Sequence, residues 1–228
     1  MHDRRHFLQA LPWAALLGLG GWSPPGHALS QADAAQGIRA ALERGAGAAV
    51  DLLGRSDGFL GDSRVRIPLP GHLASASKLL KAIGQGPKVE ELLTAMNRAA
   101  EAAVPQARQI LVQAARAVTA QDALAIVRGG DTSVTQYFAD KTRVPLGTQF
   151  LPIVTRATEK VKLAERYNAV AAKADGLGLV KPEDANVQRY VTRKALDGLY
   201  FMIGEEEKKI RADPVGTGSR ILQSVFRR

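Results

Sequence analysis

The chain has 228 residues, no cysteine and four histidines, and its 31 lysines and arginines outnumber 22 aspartates and glutamates, for a net charge of +9. The absence of cysteine excludes disulfide bonds and thiolate metal ligands. Aromatic residues make up only 5% of the chain, which disfavours a stacking platform for sugars or nucleic-acid bases.

The first 28 residues have the organisation of an export signal. A short basic segment with two adjacent arginines precedes an apolar run from Leu8 to Trp22, and small residues follow up to Ala28. The run is interrupted by Pro12 and by glycines, and it is too short to span about 30 Å of hydrocarbon. We therefore predict a signal over residues 1–28 that is cleaved after Ala28, and a mature chain (29–228) without a transmembrane segment. The predicted location is the periplasm of a bacterium, or another exported location.

The export route stays open at this stage. Arg4-Arg5-His6-Phe7-Leu8 resembles the twin-arginine signal, whereas Asp3 and Gln9 depart from the residues that this signal prefers. The general secretory route also tolerates two arginines. The sequence therefore allows both routes.

The mature chain remains basic. The signal holds two arginines and one aspartate, so its removal lowers the net charge only from +9 to +8. A basic chain can bind nucleic acid, but the predicted location in the cell envelope argues against that partner. The electrostatic partners expected there are anionic surfaces such as lipid headgroups or cell-wall polymers. The alternative is that the charge only keeps an exported domain soluble.

Histidine chemistry is limited in the mature chain, which keeps His72 as its only histidine. One histidine without cysteine cannot build a zinc or copper site, and a Ser-His-Asp triad would have to use His72. His72 follows Pro70-Gly71 at a predicted helix start, where a capping or solvent-facing role is expected. We predict no metal site and no cofactor.

Most segments after the signal have the periodicity of amphipathic helices. Shorter helices are predicted on either side of the breaks at Pro105, Gly129-Gly130 and Pro145, and one of them starts at a capping box of Thr119 and Asp122. Longer predicted helices, and a final short one, cover residues 33–53, 73–83, 88–104, 163–174, 182–211 and 219–226.

Residues 64–70 alternate between apolar and polar positions but contain two prolines, so we expect an extended segment lying over the helices. The predicted fold class is all-α: a single-domain bundle of about eight helices with one extended, proline-containing segment.

The predicted helix over residues 182–211 should be central, because it is apolar on nearly all sides from Leu196 to Ile203. Arg193, Lys194 and Asp197 lie at the start of that stretch. A carboxylate there is costly to bury unless it is paired. We predict that Asp197 is substantially buried and paired with a cation.

Five further polar residues complete a candidate ligand-binding site. Asn97, Arg98 and Glu101 lie on one predicted helix and Tyr137 and Lys141 on another. If these helices face the central one, the eight residues line a cleft for a small polar ligand. The alternative is a structural network of ion pairs that locks the helices together.

Six segments of the mature chain resemble a known bacterial family, the domain of unknown function 4197. They are SDGFL (56–60), VRIPLP (65–70), MNRAAEAAVP (96–105), QYF (136–138), VTRKALDGL (191–199) and EEEKKIRADP (205–214). The resemblance covers the chain from about Ser30 to Phe226. It implies an exported, mostly helical bacterial protein. It implies no activity and no site residue, because the family has no assigned function.

The sequence favours a non-enzymatic binding or interaction protein. An alanine-rich bundle can hold an apolar small molecule or a partner helix between its helices, and binding needs no histidine or cysteine chemistry. The alternative is an enzyme that uses carboxylate and lysine chemistry around Asp197, Glu101 and Lys141.

Overall fold

The computed structural model describes residues 31–175 and 186–213; the export signal and the last predicted helix lie outside these ranges. The described residues form helices joined by turns and loops, so the predicted all-α fold is confirmed. Their α-helices are α1 (Gln31–Leu53), α2 (Gly71–Leu80), α3 (Gly86–Ala103), α4 (Ala107–Arg116), α5 (Ala120–Arg128), α6 (Ser133–Thr158), α7 (Lys162–Asp175) and α8 (Val187–Ala212). Of the segment predicted to be extended, Arg64 and Val65 lie in a turn, whereas residues 66–70 are neither helix nor turn and end at Pro70 with a φ of −53° and a ψ of 145°. We call residues 66–70 the extended segment.

Helices α6 and α8 pack antiparallel at the centre of the bundle. Glu207 near the end of α8 contacts Val134 at the start of α6, and Gln188 near the start of α8 contacts Thr158 at the end of α6. Helix α1 packs against α4 and α8, and α3 packs against α6 and α8. From Ala195 to Ile203, α8 buries nearly every side chain, as its apolar sequence predicted.

Helix α6 is longer than predicted, because it continues through Pro145 and Pro152. The sequence predicted one helix up to residue 142 and another from Pro145. Both prolines lie on the exposed side, where water can bind the carbonyl groups that lose their helical partners. The opposite face, which includes Phe138 and Phe150, is fully buried and holds the helix together.

Helices α2 and α3 form a hairpin that is loosely packed. After α2, a π-type turn (Lys81–Gln85) leaves helical geometry at Ile83 and Gly84, and Gly84 has a φ of 79° that favours glycine. Apart from Leu73, the side chains described between residues 71 and 88 are exposed or half-buried. The hairpin therefore presents its turn to solvent.

Among the described residues, no single helix has both the length and the apolarity needed to cross a membrane. Two helical segments, Leu73–Arg116 and Ala120–Arg128, meet those criteria when they are taken together, and they do so by length and composition only. The chain bends by 102° between them.

Candidate functional site

The predicted site residues on α3 hold the extended segment in place. The Asn97 side chain is fully buried; its Oδ1 accepts a hydrogen bond from the Ile67 backbone N–H at 2.8 Å, and its Nδ2 donates to the Ile67 carbonyl at 3.0 Å. Nδ2 also donates to the Leu93 carbonyl at 2.8 Å. The Asn97 amide thus replaces a neighbouring strand for Ile67, whose side chain enters the core.

Glu101 performs a similar task for the loop before that segment. Its Oε1 accepts hydrogen bonds from the backbone N–H groups of Phe59 and Leu60, both at 3.0 Å, and its Oε2 accepts one from Arg98 at 2.7 Å. Arg98 also donates to Asp57 Oδ1 at 2.8 Å. With Glu101 only 5% exposed, these partners replace the water that the carboxylate loses on burial.

Asp197 is paired, as predicted, but the prediction that it is substantially buried is wrong. Its side chain is 42% exposed; Oδ1 accepts from Arg143 at 2.9 Å and Oδ2 from Arg193 at 3.5 Å. The neighbouring residues Leu196 and Gly198 are buried. One helical position turns a side chain by about 100°, which brings Asp197 to the edge of the contact with α6.

The cation that comes from another helix is Arg143 of α6, which the sequence did not single out. Its guanidinium also lies over the Tyr200 ring, 4.9 Å from the centroid, and the guanidinium of Arg193 lies over Tyr190 at 5.5 Å. These contacts hold both arginines beside Asp197. Lys194 is half-buried and forms no ion pair with Asp197.

The two remaining predicted residues lie in other contacts. The Tyr137 hydroxyl donates to the Ala114 carbonyl at 3.0 Å and ties α6 to α4, and burial raises the pKa of Tyr137. Lys141 is exposed. Hydrogen bonds from the Thr119 backbone and hydroxyl lower the pKa of Asp122, and the charge of Lys141 adds to that effect. Within the described ranges, no hydrogen bond or ion pair joins Lys141, Glu101 and Asp197. The geometry therefore favours structural roles for six of the eight predicted residues, all except Lys141 and Lys194.

Among the ion pairs between described residues, the most deeply buried one was not predicted as part of any site. The side chain of Glu207 is 2% exposed and that of Arg211 16% exposed, with 2.9 Å between Glu207 Oε1 and an Arg211 guanidinium nitrogen. Glu207 also accepts hydrogen bonds from the backbone N–H groups of Val134 and Thr135, at 3.1 and 3.2 Å. A sequence signal existed, because Glu207 lies four residues after the buried Ile203 on the same helical face.

A cleft with cationic and apolar walls lies between the α2–α3 turn and α7. Its volume is about 330 Å³. We call it the basic cleft; its lining residues are Leu80, Ile83, Gln85, Lys88, Lys162, Leu163 and Arg166. In the described part of the chain, none of its three cations forms an ion pair. Sequence reasoning missed this site, because its two halves are about 80 residues apart in the chain.

Two exposed apolar side chains adjoin the basic cleft. Leu79 is 67% exposed and Ile83 is 62% exposed. Lys78 lies beside Leu79 in the sequence, and Lys81 forms an ion pair of 2.8 Å with Glu90. We call residues 78–88 the hairpin tip.

Two other cavities are lined by described residues. A cleft of about 350 Å³ beside the extended segment includes Arg66 and Lys81, but Glu90 lines it too and pairs with Lys81 at 2.8 Å. A cavity between α1, α5, α6 and α8 is apolar but encloses only about 20 Å³, room for about one water molecule. No group of three or more histidine, aspartate or glutamate side chains is placed to hold a metal ion in the ranges described.

These features define an all-α domain with two buried carboxylates that bind backbone N–H groups and with a basic cleft beside an exposed apolar tip. The chain belongs to the family described as Protein of unknown function (DUF4197), whose model matches residues 28–227. The resemblance seen in the sequence is therefore confirmed. Among curated proteins and solved structures, none matches the chain.

Proposed function

We propose that this is an exported, non-enzymatic binding protein that attaches to anionic phospholipid surfaces through its hairpin tip. The observation that carries the proposal is the exposure of Leu79 and Ile83 within a strongly basic stretch. Residues 63–89 contain five lysines and arginines and no acidic residue. Positive charge around exposed apolar side chains is complementary to a phospholipid membrane, whose anionic headgroups cover an apolar layer of acyl chains.

Two physical terms add up at such a surface. Each lysine near an anionic membrane contributes about 1 kcal/mol of attraction, and each apolar side chain that enters the interface adds the free energy of its burial. Lys81 contributes less, because Glu90 pairs with it. Lys78 and Lys88 form no ion pair with a described residue, so both are available to lipid phosphates.

Two groups of the enzyme alternative already have partners within the protein. Glu101 holds the backbone of Phe59 and Leu60, and Asp197 is shared between two arginines. General acid–base chemistry needs such groups within reach of one substrate atom. Lys141 shares no contact with either carboxylate, so the three residues offer no common reaction centre.

An apolar small molecule or a partner helix remains the other class of occupant for the bundle. The apolar cavity beside Glu207 would have to widen considerably to admit either one. The hairpin tip needs no such rearrangement, because Leu79 and Ile83 are already exposed.

Export is the part of the proposal that rests on the signal sequence. The family match begins at residue 28, where the signal is expected to end. N-terminal sequencing of periplasmic protein should start at Leu29. Uncleaved protein retained in the cytoplasm would contradict export.

Replacing Arg4-Arg5 with Lys-Lys should stop export by the twin-arginine route, and unchanged export would favour the general secretory route.

Vesicle co-sedimentation tests the attachment. The exported protein should bind phosphatidylglycerol vesicles at low salt, bind less at physiological salt, and bind phosphatidylcholine vesicles weakly. A double variant, Leu79→Ser with Ile83→Ser, should bind much less. Val144→Ser is the matched control, because Val144 is 81% exposed on α6, away from the tip. Equal binding to both lipids, or no binding, would contradict the proposal.

A further inference from the structure

We infer that the basic cleft holds the phosphate of one anionic lipid, with the first part of its acyl chain against the apolar wall. This inference rests on the proposed attachment to anionic membranes. It goes further, because it assigns a defined site with one ligand to a surface that would otherwise attract lipids by charge alone.

The cationic wall comes from two separate helices. Lys162 and Arg166 lie one turn apart on α7, and Lys88 faces them from the start of α3. Like charges one helical turn apart repel each other, and none of the three cations forms an ion pair with a described carboxylate. Glu165 lies between the two α7 cations in sequence but does not line the cleft. An anion bound here would relieve that repulsion.

The donors suit a phosphate in particular. Arg166 offers a planar guanidinium that can bind two phosphate oxygens, whereas Lys88 and Lys162 offer compact charges. The Gln85 side chain adds a neutral amide at the same wall. These groups together match a charged group with several acceptor oxygens.

The apolar wall argues for an amphiphile over a free anion. Leu80, Ile83 and Leu163 line the same cleft, and an inorganic ion would leave them in contact with water. A volume of about 330 Å³ lies at the small end of ligand sites, enough for a headgroup and the start of a chain.

Ile83 connects the cleft with the membrane-facing tip. It lines the basic cleft and is also 62% exposed. A tip that enters a bilayer therefore places the cleft at the depth of the lipid phosphates. A lipid need not leave the membrane to fill the site.

Calorimetry with a water-soluble short-chain lipid tests the inference. Dihexanoyl phosphatidylglycerol, kept below its micelle concentration, should bind one molecule per chain. Arg166→Gln and Lys162→Gln should each weaken binding by about tenfold, the effect of losing one charge-assisted contact. Arg156→Gln is the matched control, because Arg156 is exposed on α6 and does not line the cleft. Unchanged thermal unfolding of the variants shows that they are folded.

Three outcomes would overturn the inference. Lipid binding that is absent, or that survives Arg166→Gln unchanged, excludes the site, although vesicle binding through Leu79 and Ile83 could still stand. Glycerol phosphate or inorganic phosphate that binds as tightly as the lipid would make this a site for free phosphates. Conversely, the short-chain lipid could bind saturably while vesicle binding is unchanged by replacement of Leu79 and Ile83. That result would refute attachment through the hairpin tip but would support the lipid site in the basic cleft.

Discussion

The carboxylate of Glu207, near the end of α8, accepts a hydrogen bond from the backbone N–H of Val134, 3.1 Å away in the first turn of α6. Thr132, the residue that precedes α6, makes no side-chain cap of its own. Glu207 therefore satisfies N–H groups that the helix start leaves without partners, and its charge opposes the positive end of the helix dipole. Glu101 likewise accepts hydrogen bonds from the backbone N–H groups of Phe59 and Leu60, which lie in a turn, and Arg98 is its cation as Arg211 is that of Glu207.

Replacing Glu207 with alanine should destabilise the fold strongly. The change leaves Arg211 partly buried without its carboxylate and uncaps α6, at an expected cost of about 3 to 5 kcal/mol in the free energy of unfolding. Glu206→Ala is the control, because Glu206 pairs with Lys209 near the surface and should cost less than about 1 kcal/mol. Denaturant unfolding measures both variants. Equal small losses would show that the Glu207 cap contributes little.

Replacing Asn97 with alanine should loosen the extended segment. The Ile67 N–H and carbonyl groups would lose their partners in a buried position, and we expect a loss of at least about 2 kcal/mol. Thr94→Ala changes an exposed position of the same helix and should be nearly neutral. Hydrogen exchange at the Ile67 amide should also accelerate in Asn97→Ala. Unchanged exchange would mean that the amide pairing does not hold the segment.

Replacing Asp197 with alanine should have only a small effect, since the side chain is 42% exposed. Exposed ion pairs contribute about 0.2 to 1 kcal/mol, and both arginines are partly exposed to water and keep their contacts with Tyr200 and Tyr190 after the change. Thermal unfolding of the variant beside the wild type tests this. A loss above about 3 kcal/mol in the free energy of unfolding would instead indicate that Asp197 is buried, as the sequence predicted.

The capping box at α5 should make a pH-dependent contribution to stability. The Thr119 backbone N–H donates to Asp122 Oδ2 at 2.9 Å and, with the Thr119 hydroxyl, holds the pKa of Asp122 below its ordinary value of 3.8. Since the folded-state pKa is the lower one, the stabilisation is complete above 3.8 and is lost as the pH falls through the folded-state value.

Unfolding of Asp122→Ala at two pH values measures that contribution. At pH 7 the variant should lose about 0.3 to 1 kcal/mol relative to the wild type, the usual contribution of a carboxylate in the first turn of a helix. The difference should shrink once the pH is low enough to protonate Asp122 in the folded protein. Gln121→Ala, exposed in the same helical turn, is the control. A difference that does not change with pH would contradict the role of the carboxylate.

The sequence alone determined the features that depend on neighbours along the chain. Helical periodicity predicted α1, α3 and α7 closely, and Thr119 and Asp122 formed the expected capping box. Of the segment predicted to be extended, residues 66–70 are neither helix nor turn, whereas Arg64 and Val65 lie in a turn. Six matching segments also indicated the family. These features follow from local backbone preferences and from side chains three or four positions apart, so a linear pattern is sufficient to predict them.

Only the tertiary structure decided which charges are buried and which surfaces meet. Asp197 lies at the edge of the contact between α6 and α8. Glu207, ten residues later on α8, is buried because the start of α6 and Arg211 of α8 surround it. The basic cleft exists because the α2–α3 turn lies beside α7. Burial depends on helices that are distant in sequence, since the free energy of a charge is set by everything packed around it.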